Sequence, residues 1–197
     1  DETGGLVNPS ALTALIAARE LKANPGASII YNLISSKAVP EVIAENGGVG
    51  IRSRVGHSYI KSMMAQTGAV FGGEHSGHFY FNNFWRADSG MLAALYALAE
   101  LMGSNSSLSE LLKPYNRYIS SGEINTKVKN VTKSISHVRD KYHGKYQVDE
   151  LDGLTITAST WWFNLRPSNT EPLLRLNVEA DTEKEMIKIR DAVLALI

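Results

Sequence analysis

Strand-like and helix-like segments alternate along the first part of the chain, and this alternation restricts the possible folds more than any other feature of the sequence. Residues from Pro9 to about Asn24 carry apolar side chains at helical spacing, and residues 27–34 after them are rich in β-branched and aromatic side chains. Shorter segments repeat the pattern, with helices predicted at 39–46 and 57–66 and strands at 48–53 and 69–71. Such spacing predicts a parallel or mixed sheet covered by helices, from residue 7 to about residue 115.

The residues after the third strand predict a hairpin arm followed by a buried helix. The aromatic run Phe79–Phe81 suits a short antiparallel strand, and Asp88 is expected to cap the helix that follows it. Apolar side chains cover much of the circumference of this helix, which is therefore expected to be mostly buried. These side chains are Met91, Leu92, Leu95, Leu98 and Met102.

A change in composition at residues 118–122 predicts the start of a second, smaller domain. One apolar stripe marks a helix at 131–142, and Thr182 opens a final helix with a capping box. Strands are predicted at residues 154–158, 161–165 and 173–178. The fold class is therefore a mixed-sheet α/β domain over residues 9–117 followed by a small α+β domain over residues 122–197, with residues 1–8 preceding both.

Composition excludes several classes of protein. The 20 Lys and Arg residues balance the 20 Asp and Glu residues, so no net charge attracts nucleic acid or an anionic membrane. The basic stretch 127–145 has its charges opposite an apolar stripe, which is typical of a solvated helix face. With no cysteine, no membrane-length apolar run and no signal segment, we expect a cytoplasmic protein that binds neither nucleic acid nor membrane.

The segment from Arg166 to Pro172 is a candidate phosphate-binding loop between two strands. A guanidinium is followed by the small polar side chains of Ser168, Asn169 and Thr170, which together with their backbone N–H groups can converge on an anion. Each charge-assisted hydrogen bond contributes roughly 1.5–3 kcal/mol, so three or four suffice to capture a phosphorylated metabolite. The alternative is a polar β-turn, because Ser, Asn and Pro are common turn residues.

The segment from Gly73 to His78 is a second candidate binding loop. Flanking glycines allow Glu74 to approach a ligand closely and accept from sugar hydroxyls, while Ser76 and His78 add donors and acceptors. A metal site formed by Glu74, His75, His78 and His57 is an alternative, because imidazole and carboxylate suit zinc or iron. A tight turn with incidental histidines is the third.

Several basic residues lie close to predicted strand ends. Lys37, Arg52 and Arg54 are candidates to line an anion cleft there, although a solvated strand edge is favoured for Arg52. His57, at a strand-to-helix turn, is a candidate proton donor or a helix cap. Arg175 faces away from the core residues beside it, so it either joins the phosphate loop or is solvated.

Taken together, these motifs resemble the phosphohexomutase superfamily of the phosphomannomutase/phosphoglucomutase type. The resemblance runs through the whole chain in order and rests on two loop motifs at the right separation. It is carried by Gly73–His78, Asp88–Gly90 and Arg166–Pro172, with Asn24–Ala27 before a strand and Val55–His57 before a helix. It covers only the third and fourth of the family's four domains, so the chain is expected to be a C-terminal fragment.

The resemblance implies a phosphoryl transfer that interconverts hexose 1-phosphates and hexose 6-phosphates, such as those of mannose and glucose. In the family, an enzyme phosphoserine and a hexose 1,6-bisphosphate intermediate carry the phosphoryl group, and Mg²⁺ stabilises it. The phosphoserine loop and the Asp-Gly-Asp-x-Asp-Arg metal loop do not occur in this sequence. Residues 1–8 resemble what remains of the metal-loop domain, so the fragment is expected to need its missing N-terminal domains and to be inactive alone.

The resemblance also assigns roles to individual residues. Sugar hydroxyls would be held by Glu74, Ser76 and His78, and His57 matches a histidine near the active cleft with a proton-transfer role. The distal phosphate would be clamped by Arg166, Ser168, Asn169 and Thr170. No metal ligand is expected within this chain.

The sequence departs from the family pattern at two positions. Ala11 stands where several members carry an arginine, and Ile34 where some carry a lysine. Lys37 or Arg54 is expected to supply the missing positive charge. A non-catalytic sugar-phosphate binding module and a His/Glu metal hydrolase are the alternative functions.

Overall fold

The structure, a computed structural model, describes residues 1–168 and 171–197. The chain divides into two compact units, Asp1–Arg117 and Tyr118–Ile197. Asn169 and Thr170, both candidate phosphate ligands, lie outside the described residues.

The first unit is built on a mixed five-stranded sheet, as the sequence predicts. Its strands are β1 (Ser28–Asn32), β2 (Val49–Ser53), β3 (Phe71–Gly73), β4 (Phe79–Phe81) and β5 (Ala87–Asp88), in the order β2-β1-β3-β4-β5. The β1 strand pairs in parallel with β2 and β3, whereas β4 pairs antiparallel with both β3 and β5. The predicted mixed-sheet α/β class is confirmed.

Helices cover both faces of this sheet. They are α1 (Pro9–Ala23), α2 (Ala38–Glu45), α3 (His57–Thr67), α4 (Gly90–Met102) and α5 (Leu108–Leu112). The adjacent residues Ile29 and Ile30 point to opposite faces because strand side chains alternate. Ile29 packs with the apolar residues of α1 and α2, whereas Ile30 packs with Ile60 and Met64 of α3. Both faces of β1 are therefore core.

The structure corrects two predictions about α4. Its N-cap is Ser89, whose hydroxyl accepts from the Leu92 N–H, and Asp88 instead belongs to β5. Among the helix residues only Ala93 is buried, so the expectation of a mostly buried helix is wrong. An apolar circumference predicts burial, but which face finds a packing partner depends on the tertiary arrangement. The exposed side chains include Met91, Leu95, Leu98 and Met102.

The second unit is a two-layer α+β structure. Its antiparallel sheet has the order β6-β10-β9-β8-β7 and is formed by β6 (Ile119–Lys127), β7 (Gln147–Asp149), β8 (Leu154–Thr157), β9 (Trp161–Pro167) and β10 (Leu173–Ala180). The helices α6 (Val131–Tyr142) and α7 (Glu183–Leu194) supply apolar side chains to a single core cluster with the sheet. Polar residues of β9 and β10 alternate with these core residues and so occupy the opposite face.

The predicted boundary segment 118–122 is not a loop, because β6 begins at Ile119. The pairing of β6 with β10 shifts register between Asn177 and Glu179, and Gly122 has φ of 67°. A β-bulge with glycine in the left-handed region explains why a Ser-Ser-Gly sequence lies inside a strand. Ser121 Oγ accepts the Val178 N–H at 3.0 Å and so satisfies a donor at the irregularity.

In the part of the chain that the structure describes, every helix is too short or too polar to cross a bilayer.

The close approach of β3 to α1 predicts a strong effect of one added methyl group. A Cβ on Gly73 would lie 2.4 Å from Thr13 Cγ2, and Thr13 is itself fully buried. We expect Gly73→Ala to lower the free energy of unfolding by about 2 kcal/mol, because overpacking forces a shift of the helix. Urea denaturation measures this change.

Gly90→Ala is the matched control. Gly90 lies in the first turn of α4, and no atom lies within 4 Å of the place that an added methyl group would take, so this change should be neutral or stabilising by about 0.5 kcal/mol. Equal effects of the two substitutions would contradict the packing of β3 against α1.

Candidate functional site

The candidate sugar loop lies at the edge of the first sheet where three parallel strands end. Asn32 pairs with Ser53, and Tyr31 pairs with Gly73, so the carboxyl ends of β1, β2 and β3 are level. This is the edge at which open α/β sheets usually bind ligands. The Glu74–His78 segment follows β3 there and turns back into β4.

A short hairpin loop shapes the Glu74–His78 segment. The Glu74 N–H donates to the His78 carbonyl at 2.9 Å, and the Gly77 N–H donates to the Glu74 carbonyl at 3.0 Å. Gly77 has φ of 86°, a conformation that favours glycine. At the turn Ser76 is exposed, while the His75 ring lies with Nδ1 3.0 Å from Ser10 Oγ of α1.

The Glu74 carboxylate points into the protein. Its exposed fraction is 1%, and its Oε1 accepts from the Gly56 N–H at 3.1 Å and from Asn32 Nδ2 at 3.4 Å. Its Oε2 accepts the Tyr80 hydroxyl at 2.8 Å. Because a carboxylate offers about four acceptor positions, these three bonds leave Glu74 little capacity for a ligand. Glu74 therefore joins the ends of β1 and β4 to the turn before α3.

Tyr80 connects Glu74 to His57. The Tyr80 hydroxyl lies 2.5 Å from His57 Nδ1, and burial, together with the bond to Glu74, raises the pKa of Tyr80 well above its usual range. The phenol therefore keeps its single proton, which it donates to Glu74. Its oxygen is then an acceptor for His57, so the imidazole carries a proton on Nδ1 and leaves Nε2 available.

His78 is held in a similar way by a carboxylate. Its Nδ1 lies 2.7 Å from Asp88 Oδ2, and the second oxygen of Asp88 accepts the Phe79 N–H at 2.9 Å. The rings of His57 and His78 meet edge-to-face with centroids 4.3 Å apart. Two imidazoles thus lie side by side, each with Nδ1 occupied by a protein partner.

The structure places the candidate basic residues at the same strand ends. Lys37 and Arg54, after β1 and β2 respectively, are both exposed. Lys37 Nζ lies 3.8 Å from Glu41 Oε1, and the Arg54 guanidinium lies over the Tyr59 ring at 5.1 Å. Both cations therefore follow strands that end beside the Glu74–His78 loop.

The two positions expected to depart from the family pattern, Ala11 and Ile34, lie in the apolar core. Ala11 of α1 is 1% exposed, and Ile34 after β1 is 5% exposed. A charged side chain at either place would be costly without a partner, because burial strips it of water. The residues at these positions therefore serve packing in this chain.

One cluster of the described residues has the composition of a possible metal site. It consists of His57, His78 and Asp88, whose ligand atoms lie within 4.8 Å of one another. The structure does not bring Glu74 and His75 into this group, so it differs from the ligand set suggested by sequence spacing. Two imidazoles and one carboxylate do not fit Mg²⁺, which prefers an octahedron of oxygen ligands.

In the second unit, Arg166 is fixed at the end of β9 by two partners. Its exposed fraction is 5%, its Nη1 donates to Asn177 Oδ1 at 3.1 Å, and its Nη2 donates to Glu123 Oε2 at 2.6 Å. Ser168 is half-buried, and its N–H donates to the Leu173 carbonyl at 2.9 Å. The loop thus begins with a preorganised guanidinium.

Glu171, at the end of the candidate phosphate loop, is exposed, so its negative charge is not buried beside the loop.

The loop around Gly153 packs on the backbone at Arg166. Gly153 has φ of 71°, and a Cβ there would lie 2.7 Å from the Arg166 Cα. Only glycine allows this close approach.

Three residues that complete these sites were missed in the sequence. Tyr80 lies within an aromatic run that predicts only a strand, and Asp88 was interpreted as a helix cap. Glu123 follows the segment interpreted as a domain boundary, so nothing marked it as a strand residue that contacts Arg166. The residues that these three side chains contact lie far from them in sequence or were assigned to other elements, so residue type alone did not identify the contacts.

Two family models match consecutive parts of the chain. Phosphoglucomutase/phosphomannomutase, alpha/beta/alpha domain III, matches residues 8–118, and the C-terminal domain of the same family matches residues 123–196. A phosphomannomutase from Methanocaldococcus jannaschii is 47% identical over 186 residues, which cover 94% of this chain and 41% of that protein. The chain thus spans less than half the length of this relative.

Solved structures agree with the family models. The phosphoglucomutase/phosphomannomutase family protein from Burkholderia thailandensis has a TM-score of 0.86 and 29% identity, covering 98% of this chain and 42% of its own. The N-acetylphosphoglucosamine mutase of Aspergillus fumigatus, solved in complex with GlcNAc-6P and magnesium, has a TM-score of 0.59 and 10% identity, covering 98% and 47%. The second likeness shows the fold alone. Because family models match both units, this chain belongs to the phosphoglucomutase/phosphomannomutase family and corresponds to its third and fourth domains.

Proposed function

We propose that this chain is the substrate-binding C-terminal part of an enzyme that interconverts hexose 1-phosphates and hexose 6-phosphates. The observation that carries the proposal is that the chain matches two consecutive domains of the family, and each matched domain contains one of the two candidate loop motifs. One loop offers hydroxyl and imidazole groups, and the other offers a fixed guanidinium. These chemistries suit the two ends of a sugar phosphate.

In this proposal, the first unit binds the hydroxyl groups of the sugar. Ser76 is exposed at the tip of its turn, and the His78 ring has Nε2 free once Nδ1 is bound to Asp88. Glu74 fixes the base of the loop and contacts a sugar hydroxyl only through its remaining acceptor position. We assign direct hydroxyl contacts to Ser76 and His78. Glu74 both fixes the loop and offers one acceptor position to a sugar hydroxyl.

His57 is the proposed proton-transfer group. A phosphoryl transfer needs a base at the attacking hydroxyl, and a histidine within hydrogen-bond reach is suited to that task. With its proton fixed on Nδ1 by Tyr80, the neutral ring of His57 presents Nε2 as an acceptor. We propose that the phosphoryl-carrying serine lies in the part of the relatives that this chain does not span.

The second unit binds the phosphate that does not react. Arg166 and Ser168 begin the loop, and Asn169 and Thr170 continue it as proposed ligands outside the described residues. Holding the distal phosphate fixes the other end of the sugar for reaction, which converts binding energy into orientation. Lys37 and Arg54 are proposed to add positive charge at the sugar end.

Magnesium supplies charge stabilisation of the transferring phosphoryl group when it is bound. Because the described donor cluster does not fit Mg²⁺, we place its ligands in the part of the relatives that this chain does not span. Hexose 1,6-bisphosphate is the proposed intermediate. The chain alone is accordingly proposed to bind ligand without turnover.

The proposal predicts mutase activity in the parent protein that the 197-residue chain lacks. With Mg²⁺ and hexose 1,6-bisphosphate present, the parent should convert mannose 1-phosphate or glucose 1-phosphate into the 6-phosphate in a coupled assay. A parent protein that binds these esters without converting either of them would favour a binding module over an enzyme.

Substitutions in the two loops should separate phosphate from sugar recognition. Arg166→Ala should weaken binding of inorganic phosphate and of glucose 6-phosphate by tenfold or more, because one charge-assisted bond contributes about 1.5–3 kcal/mol. Ser76→Ala should leave inorganic phosphate binding unchanged and weaken glucose 6-phosphate binding about fivefold. Isothermal titration calorimetry measures both affinities. Equal losses for phosphate and for a neutral methyl hexoside in Arg166→Ala would refute the clamp.

The Tyr80 connection predicts the tautomer of His57. Nitrogen-15 NMR of the imidazole should show the proton on Nδ1 in the neutral ring, and Tyr80→Phe should yield a mixture of both tautomers because the acceptor is lost. Tyr59→Phe, at an exposed tyrosine of the same helix, is the control and should keep the Nδ1–H form. An unchanged tautomer in Tyr80→Phe would contradict the role of Tyr80.

A further inference from the structure

Two histidine rings of the first unit lie against each other at the end of the Glu74–His78 loop. His57 is the first residue of α3 and His78 precedes β4, and their ring centroids are 4.3 Å apart. Within residues 1–168 and 171–197 they form, with Asp88, the one group of three or more side chains suited to hold a metal, with ligand atoms within 4.8 Å of one another. His57 is exposed and the His78 side chain is 39% exposed, so an ion can reach both rings from solvent.

Each ring keeps one nitrogen for a ligand because the protein engages the other. His57 Nδ1 lies 2.5 Å from the Tyr80 hydroxyl, which itself donates to Glu74 Oε2 at 2.8 Å. His78 Nδ1 lies 2.7 Å from Asp88 Oδ2. With the proton of each neutral ring on Nδ1, the lone pair of each ring is on Nε2. Two Nε2 lone pairs are thus available on adjacent rings.

The partners behind the rings are those typical of metal-binding histidines. A histidine that ligates a metal usually donates its second N–H to a carboxylate or another acceptor, which fixes the ring and makes the ligating nitrogen more basic. Asp88 has this position behind His78, and its other oxygen accepts a backbone N–H at 2.9 Å, which holds it in place. Glu74 acts on His57 in a similar way through Tyr80. The two carboxylates also offset the positive charge of a divalent ion.

The donor atoms favour a late transition-metal ion over magnesium. Imidazole nitrogen suits Zn²⁺ and Cu²⁺, whereas Mg²⁺ prefers water and carboxylate oxygens. Zinc binds imidazole nitrogen at about 2.0–2.1 Å, so two nitrogens on one tetrahedral ion are about 3.3 Å apart. Ligand atoms within 4.8 Å of one another reach that spacing by small rotations of partly exposed side chains.

We propose that His57 and His78 form a binding site for a divalent transition-metal ion of the zinc type, with Asp88 as its positioning residue. The two Nε2 atoms are the protein ligands, and water occupies the remaining positions of the ion. The site goes beyond the proposed function, because it binds the ion without sugar or phosphate. Its effect rests on that function: an ion on these nitrogens excludes a sugar hydroxyl from His78 and removes the proton acceptor of His57.

Zinc titration of the 197-residue chain tests the site without an activity assay. In a non-chelating buffer, calorimetry with zinc chloride should show one site per chain. His57→Gln and His78→Gln should each weaken zinc binding about tenfold or more, because one imidazole remains. His137→Gln, at an exposed histidine of α6, is the matched control and should stay within about twofold. Equal losses in all three variants, or no loss in the first two, would overturn the inference.

Asp88→Asn tests the positioning role. The amide oxygen still accepts the backbone N–H, but the carboxylate behind His78 is lost, so zinc binding should weaken about tenfold while the variant stays folded by thermal melting. An unchanged zinc affinity would mean that Asp88 has only a structural role.

Nitrogen-15 NMR of the imidazoles identifies the ligand atoms. Zinc should shift the Nε2 signals of His57 and His78 and leave the proton on Nδ1 of both rings. Zinc shifts confined to His137 and His143 would place the ion elsewhere and contradict the site.

Competition with methyl hexoside separates this inference from the proposed function. If the hexoside shifts the resonances of Ser76 and His78 but zinc does not bind, the proposed sugar contacts stand and the inference is wrong. If zinc binds through both histidines and the hexoside does not bind, the inference stands and the sugar contacts are wrong. Where both bind, zinc should weaken hexoside binding about fivefold or more, because both ligands use His78 Nε2. Undiminished hexoside affinity in the zinc-loaded chain would overturn the inference.

Discussion

The buried carboxylate of Glu74 is the interaction on which the candidate site of the first unit depends. It accepts from the end of β1, from the turn before α3 and from β4, three segments that are distant in sequence. Leaving such donors unpaired in the interior would be costly, so their partner fixes where each segment ends. The position of His57 follows from this through Tyr80, and the loop that carries Ser76 and His78 begins at Glu74 itself.

In both units, neighbouring side chains hold the candidate ligand-binding groups in fixed orientations, but the groups involved differ. In the first unit, carboxylates orient neutral or titratable rings, since Glu74 acts on His57 through Tyr80 and Asp88 acts on His78. In the second unit, a carboxylate and an amide orient a permanent cation, Arg166. Groups held in this way need little reorganisation when a ligand binds, which increases the affinity obtained from each contact.

The sequence predicted elements whose signals are local, and it failed where the outcome depends on tertiary contacts. The helix at 131–142 has a clean stripe between its caps, and its predicted bounds are confirmed. The prediction that α4 is mostly buried was wrong, because composition does not tell which face of an apolar helix is covered by other elements. The beginning of β6 was missed because a bulge needs the small residues that otherwise mark a linker. Both loop motifs were found from residue types, whereas Tyr80 and Glu123 act through contacts with His57 and Arg166, which lie 23 and 43 residues away and which only the tertiary structure brings together.

The central proposal is that the Glu74–His78 loop of the first unit binds sugar hydroxyls and that the loop beginning at Arg166 in the second unit binds phosphate. Residue-resolved NMR titration of the 197-residue chain with two ligands tests it most directly. Methyl hexoside should shift the resonances of Ser76 and His78, whereas inorganic phosphate should shift those of Ser168 and of the Arg166 side chain. Shifts of Ser76 and His78 by inorganic phosphate, or of Ser168 and Arg166 by methyl hexoside, would contradict the proposal.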